Sequence, residues 1–264
     1  MAFSRVNGVV LHHELRGVAE RPVLVFANSL GTDFRIWNDV VARLGDRYRV
    51  LLYDKRGHGL SEATPAPYGM ADHVNDLAAL LDHHGIEKAA VVGLSVGGMI
   101  AQGLAALRPD LVAALVLCDT AHRIGTEEFW NARINAVLEN GIEAISDGIL
   151  QRWFTPAYRS PDNADYIGYR NMLVRSPVEG YAGTCAALRG ADLTESTRAL
   201  KIPVLCIVGD QDGSTPPDLV RSAADLISGA EFRIIADAGH IPCVEQPAAV
   251  ADLMAAFLKS ARYV

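Results

Sequence analysis

An α/β architecture is predicted for this chain: a mainly parallel central sheet, helices on both faces, and a helical block inserted late in the sequence. Three observations predict it. Short apolar, β-branched runs alternate with longer amphipathic stretches, the rhythm of a buried parallel sheet whose strands are joined by helices. The 264 residues are enough to bury one full core. Between about residues 121 and 200 the alternation lapses, and helical stretches continue without a convincing strand.

Taken in order, residues 5–10 and 11–16 read as an antiparallel pair. Buried-strand runs follow at 22–27, 48–53, 88–93, 112–118, 203–208 and 231–235. The amphipathic stretches at 34–44, 70–84, 96–107, 217–227 and 247–259 are the intervening helices, and His83 with His84 closes the second of them, where cations suit the helix dipole. Residues 1–120 and 201–264 therefore form the core. Residues 121–200, with Trp130 and Trp153, read as a helical cap inserted after the sixth strand, over the C-terminal edge of the sheet. No internal repeat, low-complexity tract or linker interrupts the chain.

The net charge of −7 argues against nucleic acid or an anionic membrane surface as a partner. A small anionic substrate is compatible with it, because that needs only a local cation. The N-terminal Met1-Ala2-Phe3-Ser4-Arg5 lacks the basic flank and apolar core of a signal peptide, and no apolar run is long enough for a membrane span. Cys118, Cys185, Cys206 and Cys243 are scattered, without C-x-x-C spacing. Buried free thiols in a reducing cytoplasm are the expectation. Composition carries no signal of oligomeric state.

The most informative stretch is Val91-Val92-Gly93-Leu94-Ser95-Val96-Gly97-Gly98-Met99. An apolar strand runs into Gly-x-Ser-x-Gly and then into a helix, which is the nucleophile elbow of the α/β-hydrolase fold. Ser95 must take strained backbone angles there, and side chains at 93 and 97 would collide with the turn. Val96 N–H, opening the helix, points to where an oxyanion would form.

A serine hydroxyl needs a base, and the base needs an orienting acid. In this fold the chain order is nucleophile, acid, histidine. Asp212 follows the strand Leu205-Cys206-Ile207-Val208 at the end where open α/β sheets place their sites, and His240 follows the last strand in Asp237-Ala238-Gly239-His240. Ser95, Asp212 and His240 are thus the expected catalytic residues, with His240 as general base and then acid. Asp210 is a rival acid better suited to fixing its loop. Asp119, closing the sixth strand, is another position from which some such folds take the acid. His58, in a turn after a strand, reads as structural. The second oxyanion donor comes from the loop after the third strand, Phe26-Ala27-Asn28-Ser29-Leu30-Gly31-Thr32, where Leu30 N–H would pair with Val96 N–H. Asn28-Ser29 stands where many relatives of this fold have His-Gly.

That loop with Trp37, together with Tyr53-Asp54-Lys55-Arg56-Gly57-His58-Gly59 and Gly93-Leu94-Ser95-Val96-Gly97-Gly98-Met99-Ile100-Ala101-Gln102, resembles the 3-oxoadipate enol-lactonases of the β-ketoadipate pathway of aromatic breakdown. The resemblance covers nearly the whole chain. It extends to Arg152-Trp153-Phe154-Thr155-Pro156, to 180–189 and to Gly209-Asp210-Gln211-Asp212-Gly213-Ser214-Thr215-Pro216-Pro217. The core motifs are shared with esterases and haloperoxidase-like hydrolases. The cap segments and the Asn-Ser-Leu-Gly loop narrow the substrate. The resemblance implies hydrolysis of 4-carboxymethylbut-3-en-4-olide to 3-oxoadipate through an acyl-enzyme, with no metal or organic cofactor.

The substrate's carboxylate needs a cation or an aromatic N–H. Trp130 and Arg133, three apart on one cap helix, share a face and are the first expectation; Arg152 with Trp153 is the second pair. The alternatives are another cap-bearing hydrolase, acting on small esters or carbon–carbon bonds, and a ligand receptor built on the same fold.

Overall fold

The computed structural model describes residues 1–263. The chain begins with β1 (Ala2–Val6), β2 (Val9–Arg16), β3 (Val23–Ala27), α1 (Asn38–Leu44), β4 (Arg49–Tyr53), α2 (Met70–His83), β5 (Ala89–Leu94), α3 (Val96–Leu107) and β6 (Val112–Cys118). Five helices follow: α4 (Glu127–Asn140), α5 (Glu143–Trp153), α6 (Ala164–Val174), α7 (Val178–Gly190) and α8 (Thr194–Arg198). The chain then returns through β7 (Val204–Gly209), α9 (Pro217–Leu226), β8 (Glu231–Ile235), α10 (Pro242–Glu245) and α11 (Pro247–Ser260).

The eight strands make one sheet in the order β1-β2-β4-β3-β5-β6-β7-β8. β2 is antiparallel to both its neighbours, and every later pairing is parallel. All six residues of β5 are buried. Successive side chains leave a strand on opposite faces, so β5 is covered on both. Two helix groups supply the cover: α2, α3, α8 and α9 pack in succession, while α1, α10 and α11 pack together. α8 thus leaves the other inserted helices and joins α3, where Thr197 Oγ1 donates to Gln102 Oε1 at 2.7 Å.

The first hairpin differs from the expected 5–10/11–16 pair. Val6 pairs with Val9, so the turn is Asn7-Gly8, two residues at φ 45° and 78°. Two positive-φ residues in a two-residue loop match the twist of the flanking strands, and Asn-Gly is the pair that best tolerates them. The helix expected over 34–44 is divided into a 3-10 turn, Phe34–Trp37, and α1.

The turn after β4 anchors this edge of the sheet. Asp54 accepts from the N–H groups of Phe34 and Leu60 and lies 2.7 Å from His12 Nδ1. Beside it, Arg56 forms a two-pronged ion pair with buried Asp76, both contacts 2.6 Å, and Asn7 Nδ2 also donates to Asp76. Asp76→Ala would strand the guanidinium beneath α2. We expect it to lower stability by about 3–5 kcal/mol, measured as a fall in the urea midpoint at unchanged m. His58 is buried in the same turn, its Nδ1 3.2 Å from the Arg56 carbonyl, a structural placement.

Candidate active site

β5 and α3 are joined by a single residue. Ser95 sits between them at φ 57°, ψ −120°, a conformation that costs about 1–3 kcal/mol and persists only under external constraint. The constraint is visible. Ser95 N–H donates to the Cys118 carbonyl at 3.0 Å, and Ser95 C=O accepts from Thr120 Oγ1 at 2.6 Å and from Gly98 N–H at 2.9 Å. The glycines follow from crowding. A Cβ on residue 97 would lie 2.1 Å from the Ala27 carbonyl oxygen, and one on residue 93 would lie 2.3 Å from that of Gly97.

β7 and β8 deliver the acid and the histidine. Asp212 Oδ1 accepts from Ser214 and Thr215 N–H at 2.7 and 3.0 Å, and Oδ2 accepts from Thr215 Oγ1 at 2.6 Å. His240 Nδ1 lies 2.9 Å from Asp212 Oδ2. Burial pushes the Asp212 carboxyl up, but His240 and the two Thr215 donors outweigh it and hold the group below the usual carboxylate range. An ionised Asp212 fixes Nδ1 as the protonated nitrogen of His240, leaving Nε2 as the free base.

The rival acids have other surroundings. Asp210 Oδ1 accepts from Ala238 N–H at 3.1 Å and so ties the β7 and β8 loops together. Asp119 Oδ1 accepts from Gly209 N–H at 2.9 Å. One side-chain oxygen or nitrogen from each of Asp119, Asp212 and His240 falls within 4.8 Å of the other two. Complete burial, then the charge of Asp212, pushes the Asp119 carboxyl well above its ordinary range.

Ser95 and His240 open onto one cavity of about 190 Å³, shared with Leu30 of the β3 loop. Among the described residues, neither Leu30 N–H nor Val96 N–H meets a protein acceptor. Orphaned buried N–H groups are rare, and this pair flanks Ser95. The far wall comes from the inserted helices and includes Trp130, Arg133, Arg152, Trp153 and Tyr181.

One expectation for that wall needs correction. The indole Nε1 of Trp130 donates to the Ile124 carbonyl at 2.6 Å, so Trp130 offers the cavity a ring and not an N–H donor. Arg133 lies over the Phe129 and Trp130 rings, 4.8 and 5.6 Å from their centroids, with NH1 3.4 Å from Tyr181 Oη. Arg152, from the other expected pair, reaches the same cavity. Burial first, and then the charge of Arg133, lowers its pKa. Among the described residues neither arginine has a carboxylate partner, so two positive charges face one small space uncompensated.

A family profile described as the alpha/beta hydrolase fold matches residues 22–247. The chain belongs to this family. It is 36% identical to 3-oxoadipate enol-lactonase 2 of Acinetobacter baylyi, over 95% of this chain and 94% of that one. Among solved structures, the enol-lactonase from Burkholderia xenovorans LB400 superposes with a TM-score of 0.95 at 37% identity, covering 98% of this chain and all of that one. A thermophilic esterase from Thermogutta terrifontis gives 0.91 at 28% identity, covering 98% of each chain.

This α/β hydrolase ties its inserted helices directly to the loops of Asp212 and His240, a connection that no motif announced. At the end of α5, the Trp153 carbonyl accepts His240 N–H at 2.8 Å and the Arg152 carbonyl accepts Gly213 N–H at 3.3 Å. Glu245 bridges the two sides: Oε1 takes Thr155 N–H and Oγ1, and Oε2 takes Gly239 N–H. Residue 239 must be small, because a Cβ there would stand 2.4 Å from the Trp153 oxygen. Cys118, Cys185, Cys206 and Cys243 are buried thiols outside this machinery. No helix among the described residues is long and apolar enough to cross a membrane.

Proposed function

We propose that this hydrolase opens 3-oxoadipate enol-lactone, 4-carboxymethylbut-3-en-4-olide, to 3-oxoadipate, a step in the β-ketoadipate route of aromatic breakdown. The observation that carries the reading is the uncompensated pair Arg133 and Arg152 in the cavity of Ser95 and His240. A neutral ester needs no such pair, whereas a lactone bearing a carboxymethyl group does. Relatives named 3-oxoadipate enol-lactonase, at 33% and 36% identity, support the same substrate.

His240 Nε2 takes the Ser95 proton as Oγ attacks the lactone carbonyl, and Asp212 stabilises the resulting imidazolium. The carbonyl oxygen, now an anion, receives the Leu30 and Val96 N–H groups. Collapse breaks the ring C–O bond and expels an enolate, a better leaving group than an alkoxide. Protonated by His240, it tautomerises to the ketone, which opposes re-closure. Water, deprotonated by His240, then attacks the acyl carbon, and Ser95 leaves with the proton returned. Trp130 and Trp153 enclose the ring, and the arginines hold the carboxylate. This series of steps uses no metal or organic cofactor.

Loss of enol-lactone ultraviolet absorbance, against a no-enzyme blank, tests the substrate. Wild type should turn the lactone over rapidly. Arg133→Met with Arg152→Met should lose at least about tenfold in kcat/KM, since a hydrogen bond to a charged group contributes about 1.5–3 kcal/mol, yet keep its rate on p-nitrophenyl acetate. Lactone decay no faster than the blank, with p-nitrophenyl acetate cleaved, would overturn the lactonase reading in favour of a small-ester hydrolase.

A further inference from the structure

The triad chemistry leaves one charged group unused. Lys55 follows β4 and is only 1% exposed, yet no carboxylate among the described residues pairs with its ammonium. Among the described residues its one hydrogen bond runs from Nζ to the carbonyl oxygen of Ser29. A methionine would fill the same volume without the cost of removing a charge from water, and that cost is expressed in the ammonium: burial pushes its pKa down to about 7 against the opposing fields of Asp54 and Asp33.

The Ser29 carbonyl takes two further donors, Thr32 Oγ1 at 3.0 Å and Thr32 N–H at 3.3 Å. The Ser29–Leu30 bond is trans, and in a trans peptide the C=O and N–H point in opposite directions. Three donors gathered on the oxygen therefore aim Leu30 N–H the other way, where Leu30 and Ser95 line the cavity. A donor on the oxygen also polarises the peptide, strengthening the N–H as a donor.

We infer that Lys55 is a positioning residue for oxyanion stabilisation, acting through the Ser29–Leu30 peptide to aim and polarise the Leu30 N–H. The inference rests on the assignment of Leu30 as an oxyanion donor, and it extends that assignment to a side chain that never touches substrate.

The test is a double-mutant cycle between Lys55→Met and a backbone ester at position 30, made by incorporating the α-hydroxy acid of leucine so that the N–H becomes an oxygen. Each is read as kcat and KM on the enol-lactone, as affinity for butylboronic acid, which forms a tetrahedral adduct on serine, and as affinity for 3-oxoadipate. The ester alone should lower kcat by about 10²–10³-fold. Lys55→Met should lower kcat and boronate affinity by about tenfold or more, leaving KM and 3-oxoadipate affinity within about twofold. In the ester background Lys55→Met should lower kcat no further. A lysine that merely supports the loop would give losses that multiply and would weaken 3-oxoadipate as much as boronate, and either result overturns the inference. If the ester changes nothing, the Leu30 assignment itself is wrong and the inference falls with it; if the ester is damaging and Lys55→Met is silent, only the role of Lys55 falls. Thr32→Val removes a second donor from the same carbonyl and covers the case of a misfolded Lys55 variant. A several-fold loss in kcat and boronate affinity, with 3-oxoadipate binding kept, supports the inference; an unchanged kcat overturns it.

Discussion

Ser95→Ala should lower kcat on the enol-lactone by about 10⁶-fold, the scale reached when a nucleophilic serine is removed from such a unit. The loss comes from chemistry alone. An alanine at this position would keep the backbone bonds to Cys118, Thr120 and Gly98, because all three use main-chain atoms of the residue. The orphaned N–H groups, the arginines and the His240–Asp212 pair would also remain. The variant should therefore fold, bind 3-oxoadipate as wild type does, and accumulate no acyl-enzyme in quenched-flow mass spectrometry. Removing the strain at φ 57° would require a change of turn and not of side chain, so no large gain in stability is expected from alanine. Covalent labelling of the variant at a different residue, with activity retained, would sink the assignment of Ser95.

Asp212→Asn should lower kcat by about 10⁴-fold, the scale of a triad whose histidine is left in the wrong tautomer. Asparagine can turn its NH₂ toward His240 Nδ1, which would place the ring proton on Nε2 and remove the base from Ser95. The adjacent carboxyl makes this a sharp test. Asp119 lies within 4.8 Å of the same atoms, where burial and the charge of Asp212 push its carboxyl well above the ordinary range. Asp119→Asn keeps an oxygen acceptor for the Gly209 N–H, so its effect on kcat should be small beside that of Asp212→Asn. The reverse ranking, with Asp119→Asn the more damaging, would move the acid from the end of β7 to the end of β6. Stopped-flow absorbance on the two purified variants decides the matter.

The fold was legible where local pattern and burial coincide. β3 to β7 are short, mainly apolar runs buried against helices, and their limits fall close to those expected. The first hairpin was misplaced because Val6, Val9, Val10 and Leu11 blur the apolar alternation across Asn7-Gly8. The Asn-Gly pair itself carried the turn. α10 has only four residues and shows no period of its own. In the site, Ser95 is marked by glycine spacing, and Asp212 and His240 follow strand ends that composition reveals. The roles of Lys55, Glu245 and Trp130 are set by partners that sequence neighbours do not disclose: Ser29 is 26 positions from Lys55, and Thr155 is 90 positions from Glu245. Arg152 could be named as a cation of interest, but only folding brings it to the same cavity as Arg133.

The bonds from Arg152 and Trp153 to the loops of Asp212 and His240 limit how this enzyme can diversify. A shift of helix α5 to admit a bulkier substrate would pull on the loop that carries His240, so the parts of the same wall free of such bonds are the ones open to change. Substitutions on α4 and α7, such as those at Trp130, Arg133 and Tyr181, can reshape the cavity while Asp212 and His240 keep their places.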